Sequence, residues 1–78
     1  MARLRLFGPA AGAAGVRSDD MAASTVEELL SMATARYGDG FAAVAATCRV
    51  WVNGVTPAPG ASLGPADEVA LLPPVSGG

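Results

Sequence analysis

A chain of 78 residues has room for one domain, and a domain of that size buries only about 60% of the surface its unfolded chain exposes. Hydrophobic residues make up 51% and charged residues 15%, a composition that folds rather than one that stays disordered. The net charge is −2, every positive charge is an arginine, and histidine is absent. That balance argues against a general nucleic-acid binder. It also removes the P-loop and Schiff-base lysines, the commonest general base and the commonest metal ligand. The single cysteine, Cys48, excludes an intrachain disulfide framework and suits a reducing cytoplasm. No apolar run approaches the length of a membrane span. Arg3 and Arg5 precede small apolar residues, but Gly8, Pro9, Gly12 and Gly15 make a poor signal-peptide core.

In chain order, Arg3-Leu4-Arg5-Leu6-Phe7 alternates with period two and reads as a half-buried strand, with Leu4 and Leu6 toward the core. Gly8-Pro9 ends it. Residues 10–15 form an Ala/Gly linker or a short helical turn. Their glycine spacing is not a phosphate-binding fingerprint. Residues 16–23 are ambiguous, with a short second strand as the natural reading. Thr25-x-x-Glu28 is a capping box, overlapped by Ser24-x-x-Glu27. It opens an amphipathic helix whose stripe is Val26, Leu29, Leu30, Ala33 and Tyr37, with Gly38 as a left-handed C-terminal cap. Phe41 and Val44 mark a short irregular helical piece. Cys48-Arg49-Val50-Trp51-Val52 alternates again, and Asn53-Gly54 is a strong hairpin signal. Val55-Thr56 would return as a short strand, and residues 57–65 form a Pro/Gly loop anchored by Leu63. Glu68 to Leu72 is the last strand.

One helix covering one face of a mixed four- or five-stranded sheet is an α+β arrangement. The first and last strands are expected to lie parallel in its centre, with the helix in the crossover. Residues 1–72 make the domain and 73–78 an extended, flexible tail.

Catalytic constellations are missing. Cys48 has no histidine to activate it and reads as a small core residue. The Asp19-Asp20 and Glu27-Glu28 pairs read as solvated or capping charges, and no set of three carboxylates is spaced for a metal. Phe7, Trp51 and Leu72 stand out among the polar residues of the face turned away from the helix. If the first, third and last strands are neighbours, these three form an apolar partner-binding patch.

The patch leads to Pro73-Pro74-Val75-Ser76-Gly77-Gly78. Two prolines cannot extend a paired central strand and favour an extended path. Six residues reach about 20 Å, and Gly77 and Gly78 fit a narrow channel. The reading is that the carboxylate of Gly78 is the reactive group and that the domain presents it.

These residues resemble a family, the prokaryotic ubiquitin-like sulfur carriers of the β-grasp fold (MoaD/ThiS-like), and within it the small subunit of molybdopterin synthase. The carriers of the resemblance are Leu4-Arg5-Leu6-Phe7-Gly8, Thr25 to Leu30, Val52-Asn53-Gly54, and above all Asp67-Glu68-Val69 running into Pro-Pro-Val-Ser-Gly-Gly. Ala66 departs from the family's usual glycine. The resemblance implies that an adenylyltransferase related to ubiquitin-activating enzymes uses ATP and Mg²⁺ to form an acyl-adenylate on Gly78. A sulfurtransferase or other sulfur donor then leaves a thiocarboxylate there, and the tail enters the large synthase subunit during molybdenum cofactor biosynthesis. The chain itself would bind no cofactor and no metal. It would be a sulfur-carrying subunit without an active site of its own. Related carriers serve thiamine thiazole, cysteine or natural-product sulfur, and a ubiquitin-like protein modifier is the reading from a different class.

Overall fold

The computed structural model describes residues 1–74. The readings that fall on Val75, Ser76, Gly77 and Gly78 lie outside the described residues. Seven elements follow in order: β1 (Ala2–Leu6), α1 (Pro9–Ala14), β2 (Ser18–Met21), α2 (Val26–Tyr37), α3 (Asp39–Ala45), β3 (Arg49–Val52) and β4 (Glu68–Leu72). The sheet order is β2-β1-β4-β3. The central pair β1·β4 is parallel, as expected, and both outer pairs are antiparallel.

The core follows from the alternation. Ala2, Leu4 and Leu6 of β1 and Val69 and Leu71 of β4 are buried on one face, where period-two side chains must gather. Helix α2 lays Val26, Leu29 and Ala33 on that face, with Leu30 and Tyr37 half-buried at its margin. Met21 is fully buried and resolves the ambiguous stretch 16–23 into an edge strand. Phe41 enters the same core from α3 with no exposed surface, its ring edge-on to Tyr37 at 5.1 Å and 63°. Burying a side chain of that size stabilises the fold by about 1.5–3 kcal/mol.

Several local expectations need correction. Thr25 Oγ1 accepts the Glu28 N–H at 3.1 Å, as a capping box requires. The Glu28 carboxylate, however, takes the N–H of Ser24 at 2.7 Å, one residue upstream. Glu27 takes no Ser24 contact and instead accepts from the Gly60 N–H at 3.4 Å, fastening the long loop to the helix start. Gly38 has φ 95° and ψ −175°, so it is a positive-φ break but not a left-handed α cap, and α3 starts directly after it. The returning strand at Val55-Thr56 reduces to one bridge between Val52 and Val55. Thr56 is followed by Pro57, whose missing N–H stops any ladder. The sheet therefore has four strands. The linker 10–15 is the short helix α1, started by Pro9 in its first turn and closed by Gly15 at φ 79° and ψ 8°.

Candidate functional site

The face opposite the helices is the open side of the sheet, and the strand order makes β1, β4 and β3 neighbours there. Register sets the rows: Arg5 lies beside Ala70, which lies beside Trp51. One row further along, Leu72 pairs with Arg49, and the Phe7 N–H donates to the Leu71 carbonyl at 3.2 Å, which sets Phe7 alongside Leu72. Phe7 and Trp51 are 41% and 39% exposed, large values for aromatic rings, and Leu72 is half-buried. The two aromatics thus lie diagonally across β4, with Ala70 and Leu72 between them.

Arginines frame this apolar strip. Arg5 donates to Glu68 at 3.4 Å and its guanidinium stands 5.8 Å from the Phe7 ring centroid. Arg3 pairs with Asp20 at 2.9 Å. These pairs are exposed and each contributes no more than about 1 kcal/mol. Arg49 has no ion pair among the described residues. Beside Phe7 a groove of about 460 Å³ runs past Arg3, Arg5, Arg17, Gly8 and Ala11.

The strip ends at Leu72, the last residue of β4, and Pro73 and Pro74 continue exposed. Pro73 lies near Gly8: a Cβ added to Gly8 would stand 3.5 Å from Pro73 Cγ, an ordinary van der Waals distance. Sequence reasoning gave Gly8 no place beside Pro73, because no local signal links residues from opposite ends of the chain.

The rest of the described chain offers little chemistry. The Cys48 thiol donates to the Val44 carbonyl at 3.4 Å and burial pushes its pKa up, which keeps it protonated and unreactive. No group of three metal-ligating side chains occurs among the described residues, and no helix is long and apolar enough to cross a membrane. Asp19 accepts from the Tyr37 hydroxyl and from Arg36 Nη1, the latter at 2.8 Å. That arrangement ties β2 to the last turn of α2.

A mixed sheet of this order, with α2 across one face and a parallel central pair, defines a ubiquitin-like β-grasp protein. The chain belongs to the ThiS family of ubiquitin-like sulfur carriers, whose family model matches residues 4–78. Solved structures agree. SAMP1 from Haloferax volcanii superposes with a TM-score of 0.73 at 28% identity, covering 99% of this chain and 98% of that one. A second crystal structure, of the H. volcanii small archaeal modifier protein 1, gives 0.72 at 26%, covering 95% of this chain and 97% of that one. The solution structure of small archaeal modifier protein 1 from Methanosarcina acetivorans gives 0.77 at 24% identity, covering 99% and 95%, and speaks to the fold alone. No curated protein sequence matches the chain significantly.

Proposed function

We propose that this sulfur carrier is the small subunit of a molybdopterin synthase and that Gly78 carries the sulfur. A carboxylate is a poor electrophile and is ionised at neutral pH, its pKa being about 3.5. An enzyme of the ubiquitin-activating type, the partner that membership of the family implies, supplies the remedy with ATP and Mg²⁺. The Gly78 carboxylate attacks the α-phosphate, pyrophosphate leaves, and the acyl-adenylate forms. A sulfide equivalent from a donor displaces AMP and leaves the thiocarboxylate. The large synthase subunit receives the tail and transfers the sulfur to its precursor.

The division of labour follows from the chemistry. Phe7, Leu72 and Trp51 dock the partner; Pro73, Pro74, Val75 and Ser76 set reach and direction; Gly77 keeps the approach slim. The observation that carries this reading is continuity. The apolar strip of the open face leads through Leu72 straight into the tail, and the family match runs through Gly78.

Intact-mass analysis of the protein from its native host tests it. An oxygen-to-sulfur exchange at Gly78 is expected, together with co-purification of a large synthase subunit. A terminus still unmodified after incubation with activating enzyme, ATP and a sulfur source overturns the reading. The modifier name borne by the structural relatives favours one second reading, in which Gly78 is joined to amines of target proteins. Isopeptide-linked Gly78 in host digests would establish that one instead.

A further inference from the structure

We infer that Arg17 and Arg49 are the charged contacts of the open face: they flank the apolar strip on its two sides, and the activating enzyme that docks there presents a carboxylate to each. The inference rests on the reading that Phe7, Leu72 and Trp51 dock the carrier's partners, and it adds what the partner's surface must carry.

Register lays the open face out in rows. In the first, Arg3 lies between Asp20 of β2 and Glu68 of β4. The second is Ser18, Arg5, Ala70 and Trp51, and the third is Phe7, Leu72 and Arg49. Both carboxylates stand in the first row, where Asp20 takes Arg3 at 2.9 Å and Glu68 takes Arg5 at 3.4 Å. The second and third rows hold none. Arg49 shares the face of Trp51 through the two-residue period of β3 and is exposed, while Val50 and Val52 pack on the core. Directly opposite side chains of an antiparallel pair start about 5 Å apart, so Arg49 runs alongside Leu72 and carries its charge at the margin of the strip. On the other side Arg17, also exposed, lines the groove beside Phe7.

The chain's own carboxylates are engaged elsewhere. Asp19 is held by Tyr37 and Arg36. Glu27 and Glu28 each accept a backbone N–H, Asp67 accepts from Gly64 and Asn53, and Asp39 lies in the first turn of α3. Arg3, Arg5 and Arg36 each have an ion pair; Arg17 and Arg49 have none among the described residues. A chain of net charge −2 thus sets its two unpaired cations beside its exposed aromatic strip. Covering an unpaired guanidinium with an uncharged surface strands a charge away from water. A carboxylate opposite it forms a charge-assisted, bidentate hydrogen bond instead, and charge complementarity of this kind fixes the register of docking.

The sequence makes the test clean. It contains no lysine, so Arg49→Lys or Arg17→Lys introduces a single ε-amine and keeps the positive charge. Each variant is bound to the host's activating enzyme and treated with a carbodiimide. The reagent condenses the amine with a contacting carboxylate, forming an amide and leaving as its urea. Ser31→Lys, exposed on α2 on the helical side, is the control. Peptide mass spectrometry should find positions 49 and 17 joined to Asp or Glu of the enzyme and position 31 unjoined. Arg49→Gln and Arg17→Gln should each raise Kd by about tenfold at low salt, with the urea midpoint unchanged. The effect should shrink at 1 M salt, where the screening length is about 3 Å. Ser31→Glu alters the net charge equally on the helical side and should leave Kd nearly unchanged. Amides to the enzyme missing at position 49 or 17, formed equally at position 31, or formed only within the chain itself overturn the inference. So does an unchanged Kd in either glutamine variant, and in that case a native chain that still binds and supports ATP–pyrophosphate exchange leaves the carrier reading standing. A native chain that neither binds the enzyme nor supports exchange overturns the carrier reading and these contacts together.

Discussion

Asn53 clips the start of β4: its Oδ1 accepts the Glu68 N–H at 3.0 Å while its own N–H donates to the Glu68 carbonyl at 2.9 Å. The same side chain donates from Nδ2 to Asp67 Oδ1 at 3.0 Å, and Asp67 Oδ2 accepts the Gly64 N–H at 2.8 Å. Asn53 stands at φ 51°, the sole non-glycine with positive φ among the described residues. The residue chosen for a turn thus also fixes where β4 begins.

Asn53→Ala removes two side-chain hydrogen bonds, each worth about 0.5–1.5 kcal/mol, and forces alanine into a left-handed conformation costing about 1 kcal/mol or more. A loss of about 2–4 kcal/mol is expected in urea unfolding. Asn53→Gly relieves the backbone alone and should fall between that variant and the native chain. A change below about 0.5 kcal/mol in Asn53→Ala, the range of an ordinary surface substitution, would show that the clip is dispensable.

The Asp19–Tyr37 contact makes stability depend on pH at both extremes. The Tyr37 hydrogen bond first, and Arg36 second, hold the Asp19 carboxyl below its ordinary value of 3.8. A depressed carboxyl stabilises the fold above its unfolded pKa, and this contribution disappears as pH falls through the folded value. Tyr37 is pushed up to about 12, chiefly by burial and then by its bond to Asp19. A raised phenol stabilises the fold fully below its ordinary value of 10.0, and this is lost as pH climbs from there toward about 12. Urea midpoints measured against pH should therefore fall on both flanks. Tyr37→Phe should abolish this residue's alkaline loss and flatten the acid one. An acid limb as steep as the native one would show that Tyr37 does not hold Asp19 ionised.

Phe41 is the largest fully buried side chain. Phe41→Ala should cost about 3–5 kcal/mol, a large share of the roughly 4–12 kcal/mol available to a chain of this length. Near-ultraviolet circular dichroism and thermal melting should show a largely unfolded variant, whereas Phe41→Leu should remain folded with a lowered melting point. A cooperative, barely shifted melt for Phe41→Ala would mean that α3 is peripheral.

Docking is checked at Phe7. Its ring is exposed, so Phe7→Ala should leave the urea midpoint nearly unchanged while weakening the complex with the activating enzyme or the large subunit. A cost of about 1–2 kcal/mol, or roughly 5- to 30-fold in Kd, is expected for an aromatic contact residue. Leu72→Ala should act in the same direction with some loss of stability, being half-buried. Affinity that does not change in either variant would refute the patch.

Local signals determined much of this molecule. Alternation in residues 3–7 and 68–72, the Thr25–Glu28 cap and the Val26–Tyr37 stripe were enough for two strands and a helix, because pleat and helical period act on near neighbours. The Asp67-Glu68-Val69 strand and the residues after it carried the family, which the match over residues 4–78 shows. Tertiary structure decided the rest. Residues 16–23 are weak as a strand, with Ser18, Asp19 and Asp20 in a row, and only pairing with β1 and the burial of Met21 make Ser18–Met21 one. The lone bridge at Val55 shows the reverse, a hairpin signal whose returning strand is cut short by Pro57. The hydrogen bond from the Phe7 N–H to the Leu71 carbonyl joins segments from opposite ends of the chain and is created by the parallel pairing of β1 with β4. No periodicity reports such a contact, because the energy that places it belongs to the assembled sheet and not to either segment.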